Sequence, residues 1–144
     1  MTLSEQVIIL VILLFLSGFF SSSEVALISL TKLRAKQMLN KKKLGAVFVD
    51  KLKNDPQRML ATILIGNNLV NVAASVIATS IMMGVFKSYA LGITTGIMTL
   101  LILIFGEITP KSIAAKNNEL VSQIVAVPIW YLSIILSPIL NVLD

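Results

Sequence analysis

Four stretches of this chain carry no charged side chain: Gln6–Ser23, Met59–Phe86, Ser88–Gly106 and Leu120–Leu143, of 18, 28, 19 and 24 residues. Nothing else in the sequence limits the fold as strongly. An α-helix rises about 1.5 Å per residue, so roughly 20 apolar residues cross a hydrocarbon core about 30 Å thick. Each run is long enough or nearly so, and the first stays apolar past Glu24 as far as Leu30. Apolar residues make up 56% of the chain and charged residues only 13%, well under the usual share in a soluble domain. The expected fold class is an all-α integral membrane domain. A removable signal peptide over the first run is disfavoured, because no basic segment precedes it and no A-x-A-like site follows. The chain has no cysteine and no histidine. Disulfides, thiolate or imidazole metal sites and Cys or His nucleophiles are therefore excluded, and a bound metal must be a hard cation held by oxygen.

Nine of the twelve basic residues lie between Lys32 and Arg58. The positive-inside rule places that segment in the cytoplasm and the N-terminus outside. The first span then covers about 4–30, a basic segment 31–58, the second span 59–84 and the third 91–107, with an external connection at Gly84–Ala90. Lys111 and Lys116 fall on the cytoplasmic side by the same rule. Leu33, Met38, Leu39, Leu44, Val47, Phe48 and Leu52 recur among the lysines at near-helical spacing. That pattern predicts an amphipathic helical hairpin on the inner leaflet, breaking at Lys43–Gly45 and stopping at Asn54–Pro56. By hydropathy Leu120–Leu143 reads as a fourth span, whereas its central Trp130-Tyr131 pair favours the membrane interface. The residues leave both readings open. Because the chain stops at Asp144, directly after this run, it is expected to be a piece of a longer protein.

Polar groups at membrane depth are costly, and each needs a reason. Ser17, Ser21 and Glu24 share one face of the first helix, with Ser22 and Ser23 alongside; Asn67, Asn71 and Ser75 share one face of the second, with Asn68 about 100° away. The third helix ends in Phe105-Gly106-Glu107-Ile108-Thr109-Pro110-Lys111. Pro110 has no amide hydrogen, so the Gly106 carbonyl loses its helical donor beside the Glu107 carboxylate. Counted inward from the helix ends, Ser21–Ser23, Asn67, Asn71 and Glu107 all fall in one slab of the cytoplasmic half of the membrane. Taken singly, such serines commonly bond their own helix, an asparagine glues helices together, and Glu107 pairs with Lys111. Together they offer a hard cation one carboxylate, amide oxygens, hydroxyls and a bare carbonyl. Gly92 and Gly96, spaced as small-xxx-small, suit close helix packing, including packing across a dimer.

Ser17-Gly-Phe-Phe-Ser-Ser-Ser-Glu-Val-Ala-Leu, Gly66-Asn-Asn-Leu-Val-Asn and Gly106-Glu-Ile-Thr-Pro-Lys-Ser, in that order around a basic hairpin, resemble the CorC/CorB and cyclin-M transmembrane domain. The resemblance covers almost the whole chain. It implies a multi-pass, homodimeric Mg2+ transporter of the cell membrane, exporting Mg2+ in exchange for Na+ by alternating access. It further implies three spans plus a juxtamembrane belt segment over 111–143, so that Leu120–Leu143 does not cross and the C-terminus is cytoplasmic. The expected metal ligands are Ser21, Asn67, Asn71, Gly106 and Glu107, and the secondary ion path comprises Ser17, Ser23, Glu24, Asn68, Pro110 and Lys111. The expected partners are the lipid bilayer and a second copy, with no nucleic acid. Nucleotide would enter only through cystathionine-β-synthase modules downstream of this segment. A non-conducting membrane anchor or Mg2+ sensor is the alternative. An enzyme is not expected, since the usual nucleophile–base pair is missing.

Overall fold

The computed structural model of the protein describes residues 2–85 and 90–143. The connection expected at 84–90 lies largely outside them, as does the packing around Gly92. The long helix α1 (Leu3–Ser29) starts in a reciprocal cap, in which Glu5 donates its amide to Thr2 and Thr2 donates its own to Glu5. It stops where Leu30 turns extended, and Thr31 caps the next helix by accepting the Arg34 amide at 3.1 Å. Helices α2 (Lys32–Asn40) and α3 (Ala46–Asn54) form the basic hairpin. Asp55 then accepts the Arg58 amide and Pro56 occupies the first turn of α4 (Pro56–Val85), where a missing amide hydrogen costs nothing.

Helices α1 and α4 pack antiparallel: Gln6 meets Ser80 near one end and Ser17 meets Asn71 midway. A Cβ on Gly66 would lie 2.4 Å from the Phe20 ring, so only glycine lets that ring lie against α4. The main core sits at the hairpin end, where Leu27, Leu30, Met38, Val49, Met59, Ile63 and Ile129 are all closed to solvent. A smaller cluster, Leu10, Ala74, Ala78 and Met82, holds the far end. Outside these clusters the long helices present large apolar side chains, including Phe15, Leu69, Val72 and Ile93, to the surroundings. With no strand among the described residues, this is an all-α membrane domain.

The third expected span, 91–107, falls on a helix that changes its winding part-way. Helix α5 (Ala90–Leu103) passes into a wide π turn (Ile104–Ile108) and on into α6 (Thr109–Lys116). Within that turn the Thr109 amide donates to the Ile104 carbonyl, five residues back. The wider turn takes up the missing Pro110 donor, so the proline does not end the helix.

Helices α7 (Asn118–Ile135) and α8 (Ser137–Leu143) close the chain. Like α1 and α4, α7 is long and apolar enough to cross a membrane. Its contacts keep it at one end of the bundle. Asn118 donates to Ser29 at the end of α1, and Gln123 donates to the Leu44 carbonyl in the hairpin. Tyr131 stacks obliquely on Phe48, with Lys51 over the Trp130 ring. Arg58, at the start of α4, donates to the Ser133 carbonyl, Ser137 and Asn141. Both ends of the α7–α8 segment therefore meet the hairpin end.

Ion pairs and caps hold this layer. Glu119 bridges Arg34 (2.7 Å) and Lys43, while Lys53 donates to the Leu27 carbonyl at 2.7 Å, near the C-terminus of α1. Burial first, then Lys32, holds the Lys53 ammonium below its ordinary pKa of 10.5. The Lys43 and Arg34 hydrogen bonds hold the Glu119 carboxyl below its ordinary 4.5. A carboxyl depressed in the folded state stabilises fully above the unfolded value and loses that contribution as pH falls toward and through the folded one. Thermal unfolding in detergent is therefore expected to show an acid-side loss of stability that Glu119→Gln flattens.

The hairpin turn carries a second test. Gly45 has φ +78°, and a Cβ there would sit 2.6 Å from the Gln123 carbonyl oxygen. Gly45→Ala is expected to lower stability by about 3 kcal/mol, combining left-handed strain with displacement of α7. The measurement is its melting temperature against wild type.

Candidate functional site

Midway along the bundle, α1, α4 and the π turn bring polar groups to one level. The Ser17 hydroxyl, almost fully buried, lies 2.8 Å from Asn71 Oδ1 and 3.3 Å from the Gly106 carbonyl. A hydroxyl has one proton, so these two oxygens compete for it. The carbonyl that Pro110 deprives of a helical donor thus meets a side chain from another helix. Asn71 Nδ2 donates to Glu107 Oε1 at 3.3 Å, and Lys111 Nζ stands 3.8 Å from Glu107 Oε2. This amide orientation suits both neighbours, since a carboxylate accepts and the hydroxyl can donate.

Two glycines permit the approach. A Cβ on Gly18 would lie 3.2 Å from the Pro110 ring, and one on Gly106 would lie 3.1 Å from Ser17 Oγ. Glycine at both positions lets α1 come close to the π turn and keeps the Gly106 carbonyl within reach of the hydroxyl.

Ser21 follows Ser17 by one turn and Asn67 precedes Asn71 by one turn. Because α1 and α4 are antiparallel, both lie about 5.4 Å nearer the hairpin end. Ser21 is fully buried, yet its Oγ has no hydrogen-bond partner, and neither does the buried Asn67 Oδ1. A buried polar atom without a partner costs about 1–3 kcal/mol and calls for an explanation.

Other expected residues are placed differently. The Ser23 hydroxyl donates to the Phe19 carbonyl of its own helix at 2.6 Å. Glu24 is half-buried one turn beyond Ser21. Asn68 faces outward over a shallow hollow lined by Ile65, Leu69, Val72 and Ala73, away from the cluster. Among the described residues no three His, Cys, Asp or Glu side chains gather, so the site has one carboxylate and otherwise neutral oxygens. The sequence reading missed Gly18 as a site-shaping residue; its signal was a side-chain-free position directly beside Ser17.

The family model described as "Cyclin M transmembrane N-terminal domain" matches residues 8–144. The chain belongs to this family. Among relatives of this cyclin M domain, a UPF0053 protein of Haemophilus influenzae is 45% identical over 83% of the chain and 29% of its own length. A chloroplastic DUF21 domain-containing protein of Arabidopsis thaliana is 40% identical over 95% of the chain and 21% of its own length. The UPF0053 inner membrane protein YfjD of Escherichia coli is 35% identical over 90% of the chain and 30% of its own length. The chain spans less than a third of each of these relatives. The apolar helices and an inner-membrane relative together make this a multi-pass membrane protein.

Ser17→Ala removes the one hydroxyl proton that the Gly106 carbonyl and Asn71 Oδ1 share. The expected loss is about 2 kcal/mol, seen as a lower melting temperature of the purified domain in detergent.

Proposed function

We propose that this cyclin M domain carries Mg2+ across the membrane, exporting it in exchange for Na+ by alternating access. The observation that carries the reading is the pair of buried, unpartnered oxygens on Ser21 and Asn67, one turn from the Asn71–Glu107 pair. Asn67 Oδ1 lacks a donor and the Ser21 hydroxyl keeps its lone pairs free, so both can turn an oxygen to a hard cation at membrane depth. The ligands would be Ser21, Asn67, Asn71, the Gly106 carbonyl and Glu107, with Ser17, Glu24, Pro110 and Lys111 along the path. Mg2+ sheds water reluctantly and needs near-octahedral oxygen, which one carboxylate and several neutral groups from three helices can supply. Na+ would return through the same polar region.

The proposed orientation puts the basic hairpin and the C-terminus in the cytoplasm of a cell membrane, with the N-terminus outside and α7 along the inner surface. The proposed assembly is a homodimer. Two outward features support it: Asn68 is an exposed amide on an apolar face, and a Cβ on Gly96 would meet nothing within 4 Å. A polar side chain on a lipid-facing surface is costly alone and is satisfied by a second helix.

Glu107→Ala is expected to bring Mg2+ flux in proteoliposomes to background while the protein still elutes and melts as folded material. Normal efflux by that variant would remove the reading. Wild-type protein that binds Mg2+ but moves none, with or without an opposing Na+ gradient, would make the domain a sensor instead.

A further inference from the structure

Among the described residues Lys111 is the one cation near the proposed ion site, and its pairing differs from the others. Arg34 lies 2.7 Å from Glu119 and Lys36 lies 2.9 Å from Asp50, both direct contacts in the hairpin layer. Lys111 stands 3.8 Å from Glu107, the loosest ion pair among the described residues. Its side chain is 40% exposed against 29% for Glu107, so the ammonium is the outer member. It follows Glu107 by one turn, and α6 runs from there toward the hairpin end, which places it at the level of Ser21 and Asn67. Lys111 therefore stands between the Glu107 carboxylate and the hairpin end of the molecule. A loose, partly exposed pair on a long flexible stem is weak and easily opened.

We infer that Lys111 is a tethered counter-cation of Glu107, which an incoming ion must displace and which returns when the ion leaves. The inference rests on the proposed ion site. With the site empty, the ammonium covers the Glu107 carboxylate, so that charge is not left bare. A divalent ion arriving at Glu107 must break that pair and endure the repulsion of the displaced ammonium. Lys111 thereby lowers the affinity of the site and speeds release, acting through Glu107 as a positioning residue and contributing no ligand of its own. Lysine suits the role because its charge sits on one swinging nitrogen, where Asn71 is fixed by two neighbours.

The test is equilibrium titration of the purified full chain in detergent with MgCl2, comparing wild type, Lys111→Met, Lys111→Gln and Lys111→Arg. The two neutral variants are expected to bind Mg2+ about tenfold more tightly, with slower release on rapid chelation, and the arginine variant to stay near wild type. A purely structural role would leave affinity unchanged or weaken it in all three. If Lys111→Met does not fold, Lys111→Gln carries the comparison, with circular dichroism and melting temperature recorded for each. Wild-type-like or weaker Mg2+ binding by a folded neutral variant overturns the inference while the ion site stands. Absence of Mg2+ binding in wild type and every variant overturns the ion site itself, and the inference with it.

Discussion

A single missing amide hydrogen organises the middle of this molecule. At membrane depth no water answers a backbone carbonyl left without its donor. Pro110 creates that situation at Gly106, and three features are its consequences. The helix widens, so that Thr109 donates to Ile104 and the chain continues past the proline. Ser17 crosses from α1 to supply a proton to the carbonyl. Gly18 and Gly106 clear the space for that crossing, one beneath the proline ring and one beneath the hydroxyl. The same hydroxyl is also the nearest partner of Asn71, so the repair of one carbonyl ties α1, α4 and the third helix together.

The hairpin end supplies the rigidity this arrangement needs. Large side chains from α1, the hairpin, α4 and α7 are closed together there, and Lys53, Arg58 and Glu119 bind the ends of neighbouring helices. Toward the far end Leu10, Ala74, Ala78 and Met82 form a second cluster, with Leu13, Ile77, Ile81 and Ile102 packed against it. The polar cluster lies between these two apolar clusters.

Much of this was legible in the sequence, and the limits have physical reasons. Depth counting put Ser21–Ser23, Asn67, Asn71 and Glu107 at one level, periodicity put Ser17 on the face of Ser21, and the chemistry of proline marked the Gly106 carbonyl. Periodicity assigns a residue to a face but does not say what that face meets. Hence the partner of the Gly106 carbonyl stayed invisible, and so did the role of Gly18, which depends on how closely α1 approaches Pro110. The local bond of Ser23 to Phe19 and the outward aim of Asn68 depend on rotamer and helix rotation, which spacing does not resolve. The widening of the helix into a π turn was not legible, because a π turn has no sequence period of its own. Hydropathy left α7 ambiguous because its length and apolarity match those of a span, while its position is set by partners such as Ser29, Phe48 and Arg58 far away in sequence.

The balance of protons and oxygens in the cluster bears on what it can hold. Around Ser17, one hydroxyl proton serves two carbonyl-type oxygens, and one turn away Asn67 Oδ1 has no donor at all. An anion would add acceptors to a place already short of donors. A neutral solute would have to bring several donors of its own to balance the site. A bare cation does so by charge alone and leaves the protein's hydrogen bonds to rearrange around it. Among the described residues Lys111 is the only cationic group nearby, and it reaches Glu107 but leaves Ser21 and Asn67 Oδ1 unpartnered. The cluster therefore pairs its carboxylate with a lysine yet stays incomplete in its hydrogen bonding, a balance that supports the proposed cation site.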